Sequence, residues 1–334
     1  EIATRAQITL AWVVGERGDW SPAVAIAEDA VAMARDLRDL DPTAQPVELA
    51  DALVVLAVSD LTAGVPEPPG ASKEARELML DALDDAPYDS RVLAALVRAD
   101  DLMVRYDPRA FDALFLASEA AELARRIRAL EPDNVRFVIA QLGALEMQAT
   151  ALGLAGDGVE ALARFREALA VTELAARMEP DNLDNARAVA YMQNRVGDCL
   201  FDNGDFSGAE RSYRESITVL EGVNRLAPWE GSRVDLGASH FDRGLALEEL
   251  GRRDDALAEY AAAIAIGEEL AQRGEDTEAA GLLAEALVAA AMLERSDRER
   301  TRARATRAVA LLERVPHHTS AMADTLRLAR ELLQ

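Results

Sequence analysis

The spacing of five prolines constrains this chain more than any other feature of its sequence. They follow one another at intervals of 45, 45, 48 and 48 residues, and a Glu-Pro-Asp-Asn run recurs at 131–134 and 179–182. Proline pushes the residue before it out of the α region, and Asp or Asn caps a following helix. Each proline therefore predicts the end of one helix and the start of the next. The series consists of Pro42, Pro87, Pro132, Pro180 and Pro228.

A series of glycines runs in register with these prolines. Gly18, Gly156 and Gly204 each lie 24 residues before a proline of the series, and Gly251 follows Gly204 by 47 residues. Glycine adopts the backbone angles of a tight turn between helices, while a small residue lets two helices approach closely. An alanine follows each glycine by five residues, and Phe or Tyr follows three of them by nine. The alanines are Ala23, Ala161, Ala209 and Ala256, and the aromatics are Phe165, Tyr213 and Tyr260.

This combination resembles the tetratricopeptide repeat, in which glycine, alanine, an aromatic residue and a closing proline recur at these offsets. The resemblance is clearest from about 131 to 273. The usual unit has about 34 residues, whereas these units resemble the elongated repeats that follow the kinase domains of bacterial serine/threonine kinases. The resemblance implies an all-α, right-handed solenoid of about seven antiparallel helix hairpins with a C-terminal capping helix. The added length predicts helices of about 20 residues.

We expect these hairpins to form a single domain over residues 1–333. Two units depart from the pattern: Pro108 stands where a glycine is expected, and the Pro-rich segment 66–70 forms the turn of the unit that ends at Pro87. Since Glu1 falls inside the first helix of a unit, we expect the chain to be a fragment of a longer one. The hairpins are expected at about 2–40, 46–85, 88–130, 134–178, 181–226, 229–273 and 275–315, and the cap at 318–333.

The net charge of −24 limits the classes of partner. Lys73 is the only lysine, and a surface this acidic repels phosphate backbones, so we expect no nucleic acid partner. No run of about 18 apolar residues was identified, which predicts no direct membrane insertion. Cys199 is the only cysteine, which excludes an internal disulfide and leaves the compartment open, with the cytoplasm favoured.

The residues capable of catalysis or metal binding show no recognised arrangement. Of the three histidines, His317 and His318 are adjacent in a predicted loop, and His240 lies alone in a predicted helix. No Cys, His and Asp set has the spacing of a zinc site, and no phosphate-binding loop is present. The sequence therefore predicts neither an enzyme nor a bound metal or cofactor.

The resemblance also implies where a partner would bind. In this family the first helix of each hairpin lines a concave groove that holds an extended or helical peptide. We take Tyr191 and Phe241 as candidate anchors and Asn194 and Asp198 as orienting polar groups. The alternative is that both aromatic residues pack between repeats. The groove positions are Tyr191, Asn194, Asp198 and Phe201 on one helix, and Ala238, Phe241, Leu245 and Glu248 on the next.

Two functions are consistent with these features. The first hypothesis is a protein–protein interaction scaffold that binds a basic or neutral peptide or protein segment in its groove. The alternative is a regulatory or sensor region of a bacterial signalling protein, such as a serine/threonine kinase, that controls an attached catalytic domain. Only Asn194 and Arg195 fall near the positions where some relatives hold a C-terminal carboxylate, so we expect no such clamp.

Overall fold

The computed structural model describes residues 2–16, 20–40, 46–62, 70–106, 112–227, 230–273, 277–315 and 319–334. Across these ranges the chain forms fifteen α-helices and no β-strand, which confirms the expected all-α class. The helices are α1 (Ile2–Glu16), α2 (Trp20–Leu40), α3 (Val47–Thr62), α4 (Ala71–Asp85), α5 (Ser90–Tyr106), α6 (Ala113–Leu130), α7 (Val135–Leu154), α8 (Gly158–Met178), α9 (Leu183–Asp202), α10 (Phe206–Leu226), α11 (Glu230–Glu249), α12 (Arg253–Arg273), α13 (Thr277–Leu293), α14 (Arg298–Leu312) and α15 (Ser320–Glu331).

The chain divides into two compact units. Unit 1 is Glu1–Ala175 and contains α1 to α7 with most of α8; unit 2 is Ala176–Gln334 and contains the end of α8 with α9 to α15. Helices α7 to α12 are 20 or 21 residues long, as the added repeat length predicts. The expectation of a single domain stays a prediction.

The turns between paired helices use glycine as predicted. Gly156, Gly204 and Gly251 have φ angles of 88°, 78° and 71°, values that residues with a Cβ rarely adopt. The helices after Gly156 and Gly204 are capped by a side chain: Asp157 accepts a hydrogen bond of 3.1 Å from the amide of Glu160, and Asp205 accepts one of 2.9 Å from the amide of Gly208. Outside the described residues lie Gly18, Pro42, the segment 66–69, Pro108, Pro228, His317 and His318.

Small residues lie where paired helices meet. Ala161, Ala209 and Ala256 are 1%, 0% and 0% exposed, which confirms the predicted burial of these alanines. The aromatic residues that follow them, Tyr213 and Tyr260, are buried too. Burying these apolar faces against neighbouring helices supplies the stability that single hairpins lack.

The last helix covers the end of unit 2. Met322, Leu326 and Ala329 of α15 are buried in one cluster with residues of α13 and α14, among them Leu283 and Leu312. This packing confirms the capping helix, because it covers the apolar face that the last hairpin would otherwise expose.

Helix α7 differs from expectation in composition. By length and composition alone, its segment Phe137–Leu154 could cross a membrane. Glycine, glutamine and one glutamate interrupt the apolar residues of this stretch, so it does not form a continuous apolar run in the sequence. In the structure the helix packs against α5 and α6 within unit 1, and the buried side chain of Gln141 accepts a hydrogen bond of 2.8 Å from Arg128.

Candidate functional site

A cavity of about 160 Å³ lies between α9 and α11 of unit 2. Residues at intervals of three and four along each of these helices line it, so that one face of each helix contributes. Four of the expected groove residues, Tyr191, Asn194, Asp198 and Ala238, are among them. The lining consists of Tyr191, Asn194, Arg195 and Asp198 from α9, Leu220 from α10, and Asp235, Ala238 and Asp242 from α11.

Asp198 is held in place by two donors. The Tyr213 hydroxyl and the Arg195 guanidinium each donate a hydrogen bond of 2.9 Å to a different carboxylate oxygen of Asp198. Burial raises the pKa of Asp198, while Arg195 and Tyr213 oppose that rise. Because both of its oxygens are engaged, Asp198 serves mainly to hold its neighbours in position.

Asn194 has one engaged and one unengaged side-chain atom. Its amide nitrogen donates a hydrogen bond of 2.7 Å to the Ser239 hydroxyl, which in turn donates one of 2.9 Å to the Asp235 carbonyl. The Asn194 Oδ1 atom is buried and accepts no hydrogen bond from any described residue. A buried acceptor left in this state costs about 1–3 kcal/mol. Native structures therefore rarely keep one without a purpose or an unobserved partner.

Asp242 is the carboxylate of the cavity that lacks a partner. Asp235 is paired with Arg187, whereas Asp242 makes no hydrogen bond or ion pair with a described residue. Burial raises the pKa of Asp242 well above its usual range, and the charges of Asp198 and Glu285 raise it further, although Arg195 opposes them. The cavity thus holds an acidic group that a bound cation would stabilise in its charged form.

The other four expected groove residues, Phe201, Phe241, Leu245 and Glu248, contact neighbouring residues of unit 2 outside the cavity. The Phe201 ring lies edge-on to Phe206, with the centroids 5.2 Å apart. Phe241 lies 5.8 Å from the ring of Tyr260 and, like Leu245, packs partly buried against the core. Glu248 accepts a hydrogen bond of 3.0 Å from the Tyr260 hydroxyl. None of the four lines the cavity, and the groove role of all eight stays a prediction.

Sequence reasoning missed Asp235 and Asp242. It counted groove positions six and three residues before, and one and four residues after, the glycine of each first helix. Asp242 lies two residues before Gly244, as Arg195 lies two before Gly197. This position could have been identified because it is acidic in one repeat, at Asp242, and basic in the preceding repeat, at Arg195.

A charged network lies beside this region, between α10, α11 and α12. Arg243 donates to Glu210 and to Glu259, each at 2.7 Å, and Glu259 lies 2.7 Å from the ring nitrogen of His240. Among the residues described, no group of three or more His, Cys, Asp and Glu side chains could hold a metal ion.

Comparison with known proteins identifies the fold. No family model matches the chain, and no curated protein matches it. The structure is similar to that of the apo form of RapI, with a TM-score of 0.68 at 9% identity over 99% of this chain and 86% of RapI. It is also similar to BtubC from P. vanneervenii, with a TM-score of 0.55 at 20% identity over 76% of this chain and 92% of BtubC.

A thermophilic tetratricopeptide repeat protein of Thermus thermophilus, TTC0263, aligns with a TM-score of 0.40 at 15% identity over 71% of this chain and 98% of that one. The likeness to RapI and BtubC, at 9% and 20% identity, speaks to fold alone. The repeated glycine turns, the buried alanines and the tyrosines packed on glycines of the preceding helix carry the assignment within this chain. The chain therefore has an all-α repeat fold of the tetratricopeptide type.

Proposed function

We propose that the chain is a protein–protein interaction scaffold, and that a peptide or protein segment of its partner binds along the face formed by α9 and α11. The observation that supports this most is the cavity between the two helices, lined at matching helical intervals on both. Repeat folds of stacked helix pairs present extended surfaces of this kind to partner segments.

Tyr191 is the natural anchor of this face. It lines the cavity, yet the residue remains 45% exposed. Tyrosine combines a large apolar ring with a polar tip, which is why it is enriched among the residues that dominate binding energy at interfaces. A partner side chain that enters the cavity would cover this ring and remove it from water.

The charge of the face favours a basic or neutral partner. Three aspartates and one arginine line the cavity, and the whole chain carries −24. Complementary charge speeds encounter and suppresses binding of like-charged segments. An acidic segment would meet repulsion both at a distance and in contact.

The proposal is tested by selecting peptides from a display library of random short sequences on the full chain. We expect the wild-type chain to enrich neutral or basic peptides, and the Tyr191→Ala variant to lose them. Tyr88→Ala is the matched control, since Tyr88 is 75% exposed in unit 1 and far along the chain from the cavity. It should retain every enriched peptide. Enrichment that Tyr191→Ala leaves unchanged, or no enrichment at all, would contradict the proposed function.

A further inference from the structure

The size of the cavity sets the size of the group it can take. A cavity of about 150 Å³ accommodates a benzene molecule, and this one measures about 160 Å³. It therefore has room for one planar group about as large as a six-membered ring, together with part of the chain that carries it.

Two of the acceptors around the cavity have no hydrogen-bond donor among the described residues, and one positive charge, that of Arg195, lies beside them. Asp198 and Asp235 each have an arginine partner, in Arg195 and Arg187 respectively. Asp242 has no hydrogen-bonded partner among the described residues, and Asn194 Oδ1 is buried without a donor. The unengaged acceptors are thus on both helices, one from α9 and one from α11, and they call for a group with several N–H donors and a positive charge.

Resting on the proposed function, we infer that the cavity between α9 and α11 binds a guanidinium group, supplied by an arginine side chain of the bound segment. The charge of this group would compensate Asp242, and its donors would reach Asn194 Oδ1. Its planar face would lie against the ring of Tyr191, where a cation gains further attraction from the aromatic quadrupole.

Arginine suits this cavity better than lysine for three reasons. The guanidinium carries five donors in a fixed planar arrangement, whereas an ammonium presents three donors at a single point. Acceptors on two separate helices match the wider arrangement. The guanidinium is also more weakly hydrated than an ammonium, so that it loses less hydration free energy when it leaves water for a partly enclosed site.

The raised pKa of Asp242 gives the inference a pH signature. A cation favours the ionised carboxylate, so binding should release protons and should strengthen as pH rises through the raised pKa of Asp242. The charged groups facing Asp242 are Asp198 and Arg195 of α9 and Glu285 of α13. Since Asp198 and Glu285 also have raised pKa values, the variant Asp242→Asn is needed to assign the dependence.

The test measures the binding of three probes to the full chain by nuclear magnetic resonance and calorimetry. The first is the acetylated and amidated tripeptide Ala-Arg-Ala, the second is the same tripeptide with citrulline in place of arginine, and the third is agmatine. Citrulline keeps the shape of arginine but carries no charge. We expect saturable binding of the arginine tripeptide and of agmatine, with shifts at the Asn194 side-chain amide, and at least about tenfold weaker binding of the citrulline tripeptide.

Two variants and one control accompany the probes. An asparagine resembles the protonated carboxyl in shape, so the Asp242→Asn variant should fold normally. Its affinity for the arginine tripeptide should be at least about tenfold weaker. Ala238→Leu should block the cavity without altering any charge. The exposed Asp254 of α12 supplies the control, and Asp254→Asn should change the affinity by less than about twofold.

The outcomes separate this inference from the proposed function. Equal binding of the arginine and citrulline tripeptides, or no binding of either guanidinium probe, overturns the guanidinium site. If library peptides then still require Tyr191, the scaffold function stands. If agmatine binds in an Asp242-dependent way but no displayed peptide is enriched, the cavity is a site for a free guanidinium compound and the scaffold function is wrong.

Discussion

The ring of Tyr213 occupies the space that a side chain at Gly197 would need. A Cβ added at Gly197 would lie 2.5 Å from Cε1 of Tyr213, closer than real Cβ atoms approach another atom. The same tyrosine donates its hydroxyl hydrogen to Asp198, the next residue after the glycine. The glycine thus links the packing of α9 on α10 to the polar wall of the cavity. Tyr260 covers Gly244 in the same manner one repeat later.

Replacement of Gly197 by alanine should therefore destabilise unit 2. The buried ring of Tyr213 cannot move without losing its hydrogen bond to Asp198, so we expect a loss of about 1–3 kcal/mol, as for other overpacked cores. Thermal unfolding of the two chains side by side measures the change. Gly222→Ala is the control, because nothing lies within 4 Å of a Cβ there. It should be neutral or stabilising by up to about 1 kcal/mol. Equal effects of the two substitutions would show that Gly197 is not required by this contact.

Replacement of Ala209 by leucine should overpack the crossing of α9 and α10. Ala209 is fully buried, so the added methyl groups have no space, and we expect a loss of about 1–3 kcal/mol in urea unfolding. Ala261 of α12 is exposed, and Ala261→Leu should remain within about 0.5 kcal/mol of the wild type. A loss at Ala209 no larger than that at Ala261 would contradict the predicted repeat register.

The stability of unit 1 should depend on pH through Asp100. Burial raises the pKa of this carboxyl from 3.8 to about 7, with Glu119 adding to the rise, although Arg76 donates a hydrogen bond of 2.7 Å and opposes it. The folded state then binds more protons than the unfolded state between about pH 4 and about pH 7. Stability from this group is full below pH 4 and is lost as pH rises through about 7, with a slope of up to about 1.4 kcal/mol per pH unit.

Asp100→Asn should remove that dependence. We expect the difference in unfolding free energy between the wild type and Asp100→Asn to change in favour of the variant as pH rises from about 5 to about 8. Urea unfolding at several pH values measures it. A constant difference across this range would mean that Asp100 keeps an ordinary pKa in the folded chain.

Loss of Arg243 should leave two carboxylates without their shared partner. Glu210 and Glu259 are largely buried but keep Arg214 and His240 as neighbours, so Arg243→Met should cost about 1–3 kcal/mol. Arg211 of α10 is exposed and provides the control, since Arg211→Met should change stability by less than about 0.5 kcal/mol. A cost for Arg243→Met that matches the control would show that solvent screens this network.

The repeat fold could be predicted from sequence because its requirements are tied to residue type. A turn with positive φ demands glycine, and Gly156, Gly204 and Gly251 meet that demand. A close helix crossing demands a small residue, which Ala209 supplies. Such local constraints repeat at a fixed interval, so the series of residues predicts the series of hairpins.

The details of the site depend on contacts that spacing alone does not encode. Phe241 and Asn194 each lie three residues before the glycine of their helix, yet Phe241 packs near Tyr260 whereas Asn194 lines the cavity. Asp242 was missed because charged residues on helices are usually solvated, whereas the packing of α11 against α9 and α13 brings Asp198 and Glu285 near this buried carboxylate. Burial of a single carboxylate depends on three helices at once.

The most direct test of the proposed interface is a crystal structure of the full chain bound to the tightest peptide from the display selection. The account predicts that the peptide lies along α9 and α11, covers Tyr191, and places a guanidinium within hydrogen-bond distance of the Asp242 carboxylate. A peptide seated on another face of the chain, with the cavity left empty, would contradict it.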